Sequence, residues 1–197
     1  MKILRIFFYI LLIISNFQSQ TQADDVREFE IEGMSIGDSA LDFFSEAQIK
    51  KNSKDYYSDN KYIPVQNDNM SFFETYDAVD FAYKTNDNNY TIVSLVGVLF
   101  YDNNIKDCYK KMDEITKSLD EIFINQKKLP KNTYKHQSPL NVDGKSTITD
   151  VEYIFKNGDV VVIACYDYSV ATGAQDHLSV AIDTAMFDKW LKNEANK

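Results

Sequence analysis

The sequence predicts an α+β protein: a single antiparallel β-sheet with a long amphipathic helix and shorter terminal helices packed on one face. Three observations predict it. Several runs alternate apolar and polar residues at the strand period. One stretch, Ile105 to Phe123, carries apolar residues at helical spacing. Strand-like and helix-like segments do not alternate regularly along the chain, which argues against parallel βαβ units.

The elements follow in order. Lys2 and Arg5 precede an uninterrupted apolar run, Ile6 to Ile14, and then the polar stretch Ser15 to Gln20. Nine apolar residues fall short of the roughly 20 a membrane-crossing helix needs, so residues 1–23 are expected to be a secretory signal peptide, cleaved after Ala23. Residues 24–197 are expected to form one domain. From Val26 to Glu32, Arg27, Phe29 and Ile31 alternate with glutamates, predicting a half-exposed strand that Gly33 ends. Ser35 to Asp38 has capping-box spacing ahead of a short helix bearing Leu41 and Phe44, and Ser45 to Gln48 repeats the signature before Ile49. Residues 52–76, rich in Asn, Asp, Ser and Tyr, read as a long loop with room for one edge strand.

Ala78 to Lys84 alternates, Asn86 to Asn89 tolerates a left-handed turn, and Ile92 to Tyr101 returns as a buried strand. With Ser94 and Gly97 inside it, that run is too short and too interrupted to cross a membrane. In the helix, Ile105, Cys108, Met112, Ile115, Leu119 and Ile122 form one stripe. Gln126 to Ser146 reads as a polar loop. Thr147 to Lys156, Asn157-Gly158 and Asp159 to Tyr166 give the clearest hairpin signal in the chain. His177 to Ile182 is a further strand, and Asp183 or Thr184 caps a closing helix on which Phe187, Trp190 and Leu191 share a face.

Composition narrows the function. The 197 residues are 44% hydrophobic and 14% aromatic, which excludes intrinsic disorder. The formal charge is −9, and −11 once Lys2 and Arg5 leave with the signal. So acidic a chain is repelled by phosphate backbones and anionic lipid, so nucleic acid is not expected, and with no apolar stretch of spanning length past the leader neither is a membrane-integral role. No phosphate-cradling Gly loop, Gly-x-Ser-x-Gly elbow or zinc-type histidine pair occurs, so no cofactor or metal is expected.

Segments Phe29 to Phe44, Asn104 to Met112, Ala164 to Asp167 and Asp176 to Leu178 resemble a group of small exported proteins of streamlined marine bacteria. The resemblance spans nearly the whole mature chain and implies export but no activity. Gly33 to Leu41 is also similar to the opening of small helix-helix-sheet outer-membrane assembly lipoproteins. The lipid-bearing Cys of that group is missing here, so tethering does not carry over.

Cys108 and Cys165 are the only cysteines, and an exported protein meets an oxidising compartment, so a disulfide between them is the natural candidate. The hairpin register decides whether they meet. A two-residue loop at Asn157-Gly158 pairs Phe155 with Val160 and puts Cys165 on the face of Asp150 and Glu152. A three-residue loop ending in a left-handed Gly158 pairs Phe155 with Asp159 and puts Cys165 beside Val151, Tyr153, Val161 and Ile163. In the first case the cysteines are separate small hydrophobes unless the helix covers that face. A catalytic Cys108 with His136 or His177 as base is the rival reading, but its spacing matches no thiol-enzyme pattern.

Asp167, Tyr168, Asp176 and His177 flank one loop and form the candidate binding site, where carboxylates and an imidazole at strand ends suit ligand contact. Tyr56, Tyr57 and Tyr62 suit a sugar-stacking surface or a loop folded over the core. Asn141 to Gly144 has the flavour of a calcium loop but lacks its closing Glu, so a turn is expected. The expectation is an exported, periplasmic or extracellular, non-enzymatic binding or structural module with a protein or small-molecule partner. The alternative is a small hydrolase using Asp167, Asp176 and His177, metal-assisted or not.

Overall fold

The computed structural model describes residues 24–195 apart from 69, 103, 138–140 and 142, so the predicted signal peptide lies outside the described residues. Eight strands form one antiparallel sheet. They are β1 (Tyr62–Asp68), β2 (Ala78–Lys84), β3 (Ile92–Phe100), β4 (Lys127–Lys128), β5 (Asn132–Lys135), β6 (Thr147–Ile154), β7 (Val160–Asp167) and β8 (His177–Asp183). Their order is β1-β2-β3-β8-β7-β6-β4, and β5 also pairs with β6. Three α-helices accompany the sheet among the described residues: α1 (Glu46–Asn52), α2 (Ile105–Ile122) and α3 (Ala185–Asn193).

Strand alternation sends neighbouring side chains to opposite faces, and the two faces are covered differently. The first face carries Val79, Phe81, Leu95, Val151, Tyr153, Val161, Ile163, Cys165, Leu178 and Val180, all buried in the main core. It is closed by Cys108 and Met112 of α2, Ile49 of α1, and Val26, Ile31, Met34, Ile36 and Phe44 of the N-terminal segment. Each fully buried Leu, Ile or Met there stabilises by about 1.5–3 kcal/mol. On the second face a smaller cluster of Tyr62, Ala82, Phe187, Trp190 and Ala195 forms under α3, with Val93 packed against it. Val93 reaches that cluster because the β2–β3 register skips it: Ala82 pairs with Ser94 and Tyr83 with Ile92.

The expectation of helices on one face therefore needs correcting: α1 and α2 pack on the first face, α3 on the second. Both faces carry apolar residues near the ends of β1 to β3, so nothing local tells a helix with Phe187 and Trp190 which side to take. Two further expectations are overturned. Val26 to Glu32 is no strand; Asp25 caps a 3-10 turn at Val26–Glu28, and only Ile31 and Met34 form a bridge. The polar loop after Gln126 contains β4 and β5, short exposed strands whose residues Lys127, Lys128 and Asn132 to Lys135 lack a buried face to give them a pattern.

The short helix expected after Ser35 is instead a 3-10 turn at Ala40–Asp42 capped by Ser39, while the caps of α1 and α3 act as read. Ser45 and Gln48 form a full capping box at α1. Thr184, of the two candidates, caps α3 by accepting the Phe187 N–H. The β6–β7 hairpin takes the three-residue loop: the Phe155 N–H donates to Asp159 O and the Gly158 N–H to Phe155 O, with Gly158 at φ +88°. That register places Cys165 on the first face, where it forms a disulfide with Cys108 of α2, with Cα atoms 6.0 Å apart.

Candidate functional site

The second face is where groups are left for function. Its register partners read straight across the sheet. One row runs Tyr134, Ile148, Tyr166, His177, Phe100, contributed in turn by β5, β6, β7, β8 and β3. The rings pack: Tyr166 and His177 are 4.4 Å apart between centroids and 16° from parallel, and Phe100 meets His177 edge-on at 6.3 Å. Tyr168, just past β7, extends the array over Tyr166 at 6.1 Å, and His136 tilts against Tyr168 at 5.3 Å. The ends stay open, with Phe100 39% and Tyr134 40% exposed.

Further along the same face lies a row of Gln66, Asp80, Val96, Ala181, Val162 and Glu152. All of these remain partly accessible, while Val98, Ser179 and Ala164, in the row between them and the rings, are buried. The next row includes Ser94 and Asp183. Residues 53–61 form a strap from the β1 edge to α3. Lys54 N–H donates to Pro64 O, Ser58 N–H to Ala195 O, and Trp190 Nε1 to Asp59. The strap carries Tyr57, whose phenol is pushed up to about 12 by burial and then by the nearby Asp183, Tyr166, Tyr56 and Asp80.

Burial leaves unusual carboxylates on this face. Asp183 is 7% exposed and pushed up to about 7 by burial, against which a Ser94 hydrogen bond acts. Asp80 is also pushed up to about 7 by burial, with Gln66 donating to it at 3.3 Å and Asp68 adding like charge. One carboxyl oxygen of each is buried without a hydrogen-bond partner. Both histidines of the ring array are held below their usual pKa by burial, so they stack as neutral imidazoles at neutral pH.

The four residues expected from sequence part company at the sheet. Tyr168 and His177 enter the ring array. Asp167 and Asp176 alternate to the other side; Asp176 is 4% exposed, and its Oδ1 accepts the Tyr168 N–H at 2.8 Å. Burial, then the charge of Asp176, raises Asp167. Of the tyrosines considered for sugar stacking, Tyr62 is buried under α3, Tyr57 packs edge-on against Trp190, and only Tyr56 is exposed, its hydroxyl donating to Gln66. The loop thus folds over the sheet. Asn141 closes a turn, its side chain bonding His136 O and the Ser146 N–H. Among the described residues, no group of three His, Cys, Asp or Glu side chains is arranged to hold a metal ion.

Sequence reading passed over Tyr134, Tyr166 and Phe100. The signal was present in Tyr166, which shares the phase of Tyr168 and opposes that of Cys165. Tyr134 and Phe100 join the row only through strand pairings distant in sequence.

No family model, curated protein or solved structure matches this chain. The functional reading therefore rests on the geometry.

Proposed function

We propose that this chain is a non-enzymatic binding module, exported to the periplasm or cell exterior, that engages its partner through the second sheet face. The observation that carries the proposal is the cross-strand row Tyr134, Tyr166, His177 and Phe100 on a face that α3 covers only at one end. Aromatic groups lined up on a rigid sheet offer a large contact area at small conformational cost. Asp150, on the same face and accepting the Tyr134 hydroxyl, sets an acidic group beside the rings that suits a partner presenting hydrogen-bond donors.

The binding reading is better supported than the Asp/His hydrolase. Asp176 uses its carboxylate to hold the Tyr168 backbone, and Asp167 lies across the sheet from the His177 ring. Export is supported by the Cys108–Cys165 disulfide, which belongs to oxidising compartments. Among the described residues no helix is long and apolar enough to cross a membrane. In this reading residues 1–23 are the removed signal, and α2 is the long amphipathic helix that braces the first face, its lysine-rich side in solvent.

The test is capture from envelope extract under gentle crosslinking, using the mature chain and a Phe100→Ala, Tyr134→Ala double variant. Circular dichroism of the variant separates lost capture from lost fold. Truncating two contact rings should weaken capture about tenfold or more. Capture indifferent to the substitutions, or no partner at all, refutes the reading.

A further inference from the structure

A second feature, independent of the ring row, lies at the opposite end of the second face. A cavity of about 290 Å³ opens between α3 and the ends of β1 to β3. Its apolar wall is Met186 and the partly accessible Val93, with the buried Trp190 beneath them, and its rim carries Lys61, Lys84 and Lys189. Met186 is 71% exposed although its neighbours in the helix, Phe187 and Trp190, are buried. Glu194, the acid on this rim, pairs with Lys61 at 3.5 Å. Lys84 and Lys189 are in no ion pair among the described residues, in a chain where acidic residues outnumber basic ones 30 to 21. Two cations outside any ion pair among the described residues, Lys84 with Asp87 also in its field, stand above an apolar wall on which Met186 is exposed, and together they complement a ligand with one anionic head and a short hydrophobic body. The volume is at the lower end of the range for small-molecule sites, which limits that body to a medium-length chain or a single ring system.

We propose that this cavity binds a small free amphipathic carboxylate, its head held by Lys84 and Lys189 and its apolar body lying on Met186 and Val93, above the buried Trp190. Trp190 is the only tryptophan in the chain, so its fluorescence reports occupancy directly. Decanoate, kept below its micelle-forming concentration, is the probe, titrated into the full mature chain. Binding should be saturable, should weaken with added salt, and should weaken about tenfold in a Lys84→Gln, Lys189→Gln double variant, the effect of losing about 1.4 kcal/mol of charge contact. Lys117→Gln on α2, at the other face, should leave it unchanged. Decanol, with the same chain and no charge, should bind more weakly than decanoate. An absent or non-saturable response to decanoate overturns the proposal, as does equal affinity in the double variant or for decanol. A response to phosphatidylglycerol vesicles but not to dispersed decanoate also overturns it, in favour of a membrane surface. Both lysines are exposed, Lys84 at the end of β2 and Lys189 on the outer side of α3, and circular dichroism of the double variant separates lost binding from lost fold.

Discussion

Asp183 illustrates what burial does to a single ionisable residue. Its carboxyl is held at about 7 against an ordinary value of 3.8 because the folded environment disfavours the charge. The folded chain therefore binds more protons than the unfolded chain between about pH 4 and pH 7. Stability from this group is full below that window and is lost as pH rises through it. An Asp183→Asn variant removes the titration while keeping the side-chain shape. Its stability relative to the parent should rise between pH 5 and pH 8, by on the order of 1–3 kcal/mol, as read from urea unfolding at each pH. A constant difference across that range would show that Asp183 is ionised throughout. Nothing in the sequence flagged this residue beyond its candidacy as a helix cap. Its burial depends on Ser94 beside it and on α3 and the strap above it.

Among the elements, the β6–β7 hairpin decides most. Its Asn157-Gly158 pair announces a turn but leaves two loop lengths open, and the two differ by one residue of register. The chain takes the longer loop because Gly158 supplies a left-handed conformation and Asp159 then satisfies a second element, its Oδ1 accepting the Ala185 N–H at the start of α3. A Gly158→Ala variant meets strain at φ +88° and places its Cβ 3.1 Å from Ala185 Cβ. It should lose about 1–2 kcal/mol, a fall in melting temperature of about 2–8 °C by calorimetry. An unchanged melting temperature would mean that the loop relaxes to another turn. The helices were legible for the complementary reason. Their caps and periodic apolar residues lie within a few positions of one another, as at Ser45 and Gln48 or along Ile105 to Ile122. The N-terminal alternation misled because Val26 to Glu32 finds no partner strand, and without a ladder its backbone turns under the Asp25 cap.

For the whole molecule, the Cys108–Cys165 bond links the helix layer to the sheet across 57 residues of chain. Closing a loop of that length removes about 4 kcal/mol of unfolded-state entropy in the chain-entropy model. Reduction, or a Cys108→Ala, Cys165→Ala double variant, should lower unfolding free energy by about 2–5 kcal/mol, measured by urea titration with and without reductant. Equal stability in both conditions would show that packing of α2 on the sheet suffices alone. The bond lies on the first face of the sheet and the ring row on the second, so its removal should leave partner capture intact wherever the protein stays folded.

By itself, the sequence determined the α+β class, the positions of α1, α2 and α3, most strands, and the existence of the main hairpin. These are local properties, written in spacings of two, three and four residues. Tertiary structure alone decided which hairpin register was used, which face each helix covered, and that Tyr134, Tyr166, His177 and Phe100 fall in one line. The physical reason is that strand pairing joins residues from opposite ends of the chain. A shift of one residue in any pairing would exchange the two faces, and the packing of the whole core selects among those registers.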